Sequence, residues 1–531
     1  MIFDLNRLSS DEKTTKGYCK GTVIYKENVY HDADILYIFN TSQNISDIES
    51  ILSLIRGYFS IILPLNDSIV LISDQLNSVP LYYNCDLITD HFNSRYNKDI
   101  DNDNLILYQL SGVMPRDACF NSKLKATQPG EIIVIYSDCG EIIKHDYSSF
   151  FEQFSIDNKT RSKIDFSNWA EEYKHVIDLT ISDLLQIGLN KKILLPLSGG
   201  FDSRLIADIL SKAGFKDVLC FTYGITNSPE VAISKAVASH YGFEWVFIEY
   251  NSEEWKDLFD SEQYISFITR YSAENAVKHL QDFIAINHLI SDYKIDRSKT
   301  IVVPGHALDF LAGNHIPIFC FENDIIKKSD LVDYIENRHF SLRYKSCYER
   351  NLVLNYIESR LKELGCLTFD STYIPSKEAI NLYMRFNFYE RQSKFILSSL
   401  RIYDFFNLRW HLPLWSNYFI QYFENCDPSL LKNRYVSIEW DSSFIKPQFN
   451  PDLQGLIYPI SYVKPIKSNL FLKSRAFLRK ILIYNIITSI YLIRKIFFKD
   501  DFAWFSCFSF LTKFFGALKG YKEIYSFYAN K

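Results

Sequence analysis

The stretch Leu194–Leu205, LLPLSGGFDSRL, joins residue types suited to holding an anion. Its apolar start, Ile193 to Leu197, has the length and composition of a buried strand. Ser198, Gly199 and Gly200 follow as a tight turn, where glycine permits backbone angles and close approaches that other residues do not. Asp202 and Ser203 open a run with apolar residues at Leu205, Ile206, Ile209 and Leu210, which reads as a helix. A strand, a glycine turn and a helix N-terminus make an anion cradle, because outward N–H groups are backed by the positive end of the helix dipole. The turn lacks the lysine and spacing of a Walker A loop, and it is not GxGxxG. A plain turn with a helix cap has the same local pattern, so the rest of the chain must decide.

The surrounding elements place this turn at the carboxyl end of a strand in a sheet. Ile164–Ile187 has helical periodicity and leads into the strand before the turn. Val218–Tyr223 reads as a second strand, Pro229–Tyr241 as a helix ended by Gly242, and Glu244–Tyr250 and Thr300–Val303 as further strands. This alternation predicts a doubly wound parallel sheet with helices on both faces. Ligands in such sheets sit beyond the carboxyl ends of the strands, where Ser198 and Thr222 both fall. Residues 1–155 are instead strand-rich, with alternating runs at Thr22–Tyr25, Ile35–Phe39, Tyr58–Leu63, Ser68–Ser73, Leu81–Tyr83 and Glu131–Tyr136. Ser155–Asp165 reads as a linker to a domain spanning 156–465. The remaining 466–531 are a basic and aromatic helical tail. Its apolar run Ile481–Ile493 is shorter than the ~20 residues of a bilayer span. The tail is a candidate for peripheral contact with an anionic membrane face, or for packing on the protein.

Bulk composition narrows the class. The 531 residues favour two or three domains, and 47% hydrophobic with 23% charged content is that of a globular chain. A net charge of −5 gives no case for nucleic acid. The ten cysteines form no CxxC pair, which favours reduced thiols in the cytoplasm over zinc or a disulfide framework. The start, MIFDLNRLSSDEK, has neither the basic nor the apolar region of a signal peptide.

The pattern SGGxDS resembles the pyrophosphate-binding loop of the ATP pyrophosphatases, the group that includes asparagine synthetase. The resemblance implies that ATP is split between its α- and β-phosphates, that Ser198, Gly199, Gly200 and Ser203 hold pyrophosphate, and that Asp202 helps carry Mg²⁺. The strand end TYGITNSPE matches the family's adenine-contacting strand at Thr222, Gly224, Ser228 and Glu230. PGHALDFLAGNH is similar to the stretch that supplies a second aspartate to metal and pyrophosphate, with Gly305 and Asp309 at matching positions. His306 stands where the family carries a glutamate. It is either the acceptor of the incoming amine's proton or a hydrogen-bonding group only.

Two further patches fall where the family holds its acyl substrate. One is HLQDF, within a helical pattern, in which either Gln281 or Asp282 faces the pocket. The other is Glu390–Leu414, in which Arg391, Arg401 and Arg409 are candidates for anchoring a carboxylate or phosphate, Arg401 first. Lys432 and Arg434 lie where the family places a pyrophosphate-binding lysine. The catalytic set implied is thus His306, Arg401 and Lys432, with Asp202 and Asp309 on the metal.

Gly57–Tyr83 and the run ending QPGEIIVI resemble the glutaminase domain of asparagine synthetases. That domain uses an N-terminal cysteine whose free amine is the base. Here the second residue is Ile2, and Cys19 is internal, so a degenerate half without glutamine hydrolysis is expected. The expected fold is α/β: a degenerate Ntn-type, glutaminase-like α+β domain, then a doubly wound, adenine-nucleotide hydrolase-like synthetase domain.

The reaction this implies is amidation with ATP and Mg²⁺. A carboxylate is converted to an acyl-adenylate, and ammonia or an amine, free or from a separate glutaminase, displaces AMP. The motifs are similar to relatives in bacterial surface-polysaccharide (O-antigen) clusters, which points to a uronic-acid carboxylate. Three other readings stay open: a cyclase using an internal amine, of the β-lactam or lasso-peptide type; an ammonia-dependent asparagine synthetase; and a non-catalytic scaffold.

Overall fold

The computed structural model describes residues 1–10, 17–91, 101–136, 138, 140–147, 164–271, 275–365 and 371–457. The tail 466–531 and nearly all of the expected linker lie outside the described residues.

Alternation of side chains along strands builds the N-terminal half. Its strands are β1 (Ile2–Asp4), β2 (Tyr18–Tyr25), β3 (Asn28–His31), β4 (Arg56–Leu65), β5 (Ser68–Ser73), β6 (Tyr82–Tyr83), β7 (Leu87–Thr89), β8 (Lys125–Ala126), β9 (Glu131–Tyr136) and β10 (Ile142–Asp146). They form an antiparallel sheet of order β10-β9-β5-β4-β2-β3 and a smaller sheet of order β1-β7-β6-β8. Ile62, Leu71, Ile133 and Ile135 share a core with Leu81, Tyr83 and Ile88 of the smaller sheet. Their neighbours Ile61, Leu63, Val70, Ile72, Ile132 and Val134 pack on the opposite face against Ile35, Leu36, Phe39, Ile48 and Leu52. Helix α1 (Ile45–Leu52) is on that outer face, and α2 (Asn102–Ser111) covers the smaller sheet through Tyr108 against Tyr82 and Phe120. The layers therefore run helix, sheet, sheet, helix.

Ile35–Phe39, expected as a strand, is part of a 3₁₀-helix, Asp32–Phe39. Its buried residues pair three apart, Ile35 with Ile38 and Leu36 with Phe39, which is the repeat of that helix. Asp32, at φ 47°, turns the chain out of β3, and its Oδ1 accepts from Gly21 N at 3.1 Å.

The second half is built on five parallel strands: β11 (Lys192–Pro196), β12 (Val218–Gly224), β13 (Glu244–Glu249), β14 (Thr300–Val302) and, after a small antiparallel pair β15 (Ile325–Lys327) and β16 (Tyr373–Pro375), β17 (Arg409–Trp410). The order β13-β12-β11-β14-β17 puts β11 in the centre, with register Ile193↔Val218 on one side and Ile193↔Ile301 on the other. Connections leave β11 and β14 in opposite directions, which opens a crevice at their carboxyl ends. Helices α3 (Trp169–Ile187), α4 (Phe201–Lys212) and α5 (Pro229–Tyr241) follow the expected pattern. Gly242 ends α5 at φ 71°, a left-handed cap that glycine adopts without steric cost.

The two halves are welded along one seam. Val277 N donates to Gly112 O (2.8 Å), Met114 N to Asn275 O (2.7 Å) and Leu342 N to Leu110 O (3.1 Å). Lys394 Nζ donates to the carbonyls of Met114 and Arg116, each at 2.9 Å. Ile24, Tyr58, Leu76, Leu107 and Leu110 join the same apolar cluster as β11 and β12. Among the described residues no helix is long and apolar enough to cross a membrane.

Asp74 is the polar hub of the N-terminal half. Buried at 1% exposure, it accepts from Phe59 N (2.9 Å), Leu76 N (2.7 Å) and the Ser78 hydroxyl. Asp74→Ala strands these donors, and chemical denaturation is expected to show a loss of about 3 kcal/mol.

Candidate active site

The turn after β11 is closed by its own hydroxyls. Ser198 N donates to Ser203 Oγ (3.1 Å), Gly200 N donates to Ser198 Oγ (3.1 Å), and the two hydroxyls are 3.0 Å apart. Neither Gly199 nor Gly200 has a positive φ; Gly200 lies at −83°. Glycine serves for space instead. A Cβ on Gly199 would meet Glu230 Cγ at 3.3 Å, and one on Gly200 would meet Ser198 Oγ at 3.2 Å. Gly305, beyond β14, is tighter still, since a Cβ there would lie 2.9 Å from Ser203 N. The two strand ends thus touch at the N-terminus of α4.

That contact brings the two predicted carboxylates together. Asp202 Oδ2 accepts from Asp309 N at 2.9 Å, and Arg434 reaches Asp202 Oδ1 and Asp309 Oδ1, each at 2.8 Å. Asp309 Oδ2 lies 3.2 Å from His315 Nε2, and His315 Nδ1 lies 3.0 Å from Asn387 Nδ2. Left-handed backbone surrounds the cluster, with Ala307 at φ 92°, Asn433 at 56° and Arg434 at 61°. Each such non-glycine residue costs on the order of 1 kcal/mol or more and persists only when its surroundings enforce it. A buried pair, Arg204 Nε to Asp441 Oδ1 at 3.2 Å, ties α4 to the helix before Asp441, and Arg204 also donates to Gly199 O (3.0 Å).

Burial, aided by the charge of Asp309 and opposed by Arg434, pushes Asp202 up to about 6. Burial works against Asp309 as well, but its contacts with His315 and Arg434 hold it below the usual carboxylate range. Among the described residues no three His, Cys, Asp or Glu side chains converge as a metal site. Two carboxylates completed by phosphate oxygens are the donor set that Mg²⁺ takes at a nucleotide, and Asp202 with Asp309 fit it.

Other expected residues divide. Thr222 turns its hydroxyl into the fold, against Leu197 O (2.8 Å), Ser234 Oγ (2.7 Å) and Trp245 Nε1 (3.1 Å), so only its backbone is left for a nucleotide. Gly224, at φ 135° with open space around it, ends β12 beside the crevice. HLQDF is not helical; the helix starts at Phe283 with Asp282 as its cap. Of the pair Gln281 and Asp282, it is Asp282 that faces inward, accepting from Tyr223 OH (2.5 Å) and Tyr403 OH. Gln281 is half-buried, and its carbonyl accepts from Tyr250 OH (2.7 Å). His306 Nε2 lies 3.1 Å from Ser399 Oγ, and burial lowers the imidazole to about 4.

Arg401 is placed elsewhere than expected. At 1% exposure it pairs with Asp404 (3.0 Å) and donates to Ser78 O, so it braces the seam between the halves. Arg409 pairs with Asp32 (3.2 Å) across the same seam. Of Lys432 and Arg434, the arginine reaches the carboxylates, while Lys432 makes no ion pair among the described residues. Sequence reading missed His315, Asn387 and Asp441, which carry no motif spacing. Arg204, a cation inside the apolar run of α4, was the available signal for Asp441.

Residues 190–268 match the family model for asparagine synthase. No curated protein matches the chain. The NH3-dependent NAD synthetase from Campylobacter jejuni subsp. jejuni is 16% identical, over 41% of this chain and 94% of that one, with a TM-score of 0.22. The NMN synthetase from Francisella tularensis is 13% identical over 41% and 94%, with a TM-score of 0.21. The glutamine phosphoribosylpyrophosphate amidotransferase from B. subtilis is 7% identical over 56% and 63%, with a TM-score of 0.16. Similarity at that level adds nothing to the family match. The match covers the Ser198–Ser203 turn with Asp202, and the structure brings Asp309 and Arg434 to it from outside the matched segment.

Asp202 binds its proton more tightly folded than unfolded, so it lowers stability as pH rises from 3.8 to about 6. A divalent cation competes with that proton. Mg²⁺ affinity, read by calorimetry with pyrophosphate present, is expected to weaken between pH 7 and pH 5 by about tenfold more in the wild type than in Asp202→Asn, which keeps only the pyrophosphate's own titration.

Proposed function

We propose that the enzyme activates a carboxylate with ATP and transfers the acyl group to an amine. The Asp202–Arg434–Asp309 cluster at the N-terminus of α4 is the observation that carries this reading. A carboxylate oxygen attacks the α-phosphorus of ATP, the bond to the β-phosphate oxygen breaks, and pyrophosphate leaves. The amine nitrogen then attacks the acyl carbon, the bond to the phosphate oxygen breaks, and AMP leaves with the electron pair as the nitrogen loses a proton.

The turn from Ser198 to Ser203 holds the pyrophosphate on its N–H groups. Asp202 and Asp309 would hold Mg²⁺, which neutralises the departing charge. Arg434 then turns its fork from the carboxylates toward phosphate oxygens, a geometry guanidinium matches in two bonds. His306 is neutral at working pH and orients the amine through a ring nitrogen. With its pKa held near 4, it takes a proton only from a nitrogen already made acidic in the tetrahedral adduct.

The leading substrate is a uronic-acid residue or its activated sugar, in surface-polysaccharide synthesis, with ammonia or an amine as donor. The N-terminal half is read as a glutaminase-like shell of Ntn type. Its four layers support this, and Cys19 is closed into β2, with burial pushing its thiol well up from the ordinary value. The site of action is read as the cytoplasm, at the inner membrane face if the tail docks there.

Carboxylate-dependent exchange of labelled pyrophosphate into ATP tests the reading. Exchange with a uronic acid is expected, and Asp202→Ala is expected to lower it by about a hundredfold or more. Exchange with aspartate alone would favour asparagine synthesis, and exchange insensitive to Asp202 would overturn the mechanism. His306→Gln is expected to leave exchange within about threefold while slowing amide release about tenfold or more, because the residue acts on the second step only.

A further inference from the structure

The helix Ser376–Asn387 runs on into a π-helical stretch, Phe388–Ile396, then a 3₁₀ turn, Leu397–Ser399, and the helix Leu400–Phe405. A wide turn followed by a tight one resets which side chains face the neighbouring strand ends. Ser398 Oγ donates to Phe395 O (2.8 Å) and Ser399 Oγ to Ile396 O (2.7 Å), each three residues back, as the tight turn dictates. Ser399 is 2% exposed, and its oxygen also lies 3.1 Å from His306 Nε2. His306 itself is half-buried beyond the end of β14, next to the Gly305 that packs on Ser203.

A hydroxyl has a single hydrogen to donate. Ser399 gives it to Ile396 O, the closer partner, so toward His306 its oxygen offers only a lone pair. The imidazole then carries its hydrogen on Nε2, and a neutral ring with hydrogen there has its lone pair on Nδ1. Nδ1 makes no hydrogen bond among the described residues, and it is not enclosed. No carboxylate bonds to the ring to set its tautomer instead. The groups whose fields reach His306 are Asp282 and His279. Both Asp282 oxygens accept from tyrosine hydroxyls, those of Tyr223 and Tyr403, and burial lowers His279 so that it stays neutral. Among the described residues Ser399 is the one side chain bonded to the His306 ring.

We infer that Ser399 is a positioning residue that fixes His306 with hydrogen on Nε2, so that Nδ1 is the nitrogen that meets the incoming amine. This rests on the acyl-transfer reading. In that step the amine nitrogen bonds to the acyl carbon, the bond from that carbon to the phosphate oxygen breaks, and AMP leaves with the electron pair. The proton lost by the nitrogen passes to Nδ1 and from there to water. Nε2 keeps its hydrogen throughout, so one serine lone pair serves both the neutral ring and the imidazolium, and no hydroxyl has to rotate between the two states.

The test reads the ring directly. The full chain, isotope-labelled at its histidine nitrogens, is followed by long-range proton–nitrogen NMR at neutral pH, with His306→Gln identifying the His306 signals. The Nε2–H tautomer is expected in the wild type, a mixture in Ser399→Ala, and the wild-type form again in Ser399→Thr, which keeps the hydroxyl. An Nδ1–H ring in the wild type, or an unchanged pattern in Ser399→Ala, would overturn the assignment. Amide release from glucuronate, ATP, Mg²⁺ and ammonia is the second readout. Ser399→Ala is expected to slow it about fivefold in the wild type and less than about twofold in His306→Gln, because the serine acts through the ring. Equal losses in the two backgrounds would overturn a role through His306. A Ser399-dependent Nε2–H ring without amide from any variant would instead strike the acyl-transfer reading and leave the hold of Ser399 on the ring standing.

Discussion

Two carboxylates held face to face around one guanidinium are the constraint on which this molecule turns. Asp202 and Asp309 belong to different strand ends, and bringing like charges together in a half-buried crevice is unfavourable unless a cation sits with them. Arg434 is that cation in the free protein. Much of the nearby backbone is bent to this end. Gly305 lets β14 approach α4, and left-handed residues at Ala307, Asn433 and Arg434 aim the chain inward. Such strain is sustained because the elements around it are rigidly packed.

The second dependence is the seam between the halves. Backbone pairing of Gly112–Met114 with Asn275–Val277, the Lys394 contacts and the buried Arg401 fix the strand-rich half against the parallel-sheet half. The segment that follows Val277 leads to Asp282, whose carboxylate is gripped by Tyr223 and Tyr403. An N-terminal half whose Cys19 thiol is closed into a strand thus still serves as a brace for the other half.

Electrostatics divide the crevice into two regions. Around the loop, two carboxylates share the one cation of Arg434, and burial pushes one of them, Asp202, up to about 6. On the far side of His315, the half-buried Arg391 has no carboxylate partner among the described residues.

The sequence by itself determined the parts whose physics is local. Strand, glycine turn and helix from Lys192 to Lys212, the helix Pro229–Tyr241 with its glycine cap, and the parallel order they imply all follow from apolar period and backbone freedom. Asp202 and Asp309 were marked by the resemblance of SGGFDS and PGHALDF to the ATP pyrophosphatase motifs. Tertiary structure alone decided which charges meet. Arg401 and Arg409 look free in the chain but are neutralised by Asp404 and Asp32, while Arg391, among the described residues, is left without a counter-charge. Likewise the 3₁₀ turn at Asp32–Phe39 and the cap at Asp282 replaced expected regular elements where long-range packing outweighed local preference. Charge pairing depends on side chains hundreds of residues apart, and no period in a single sequence records it.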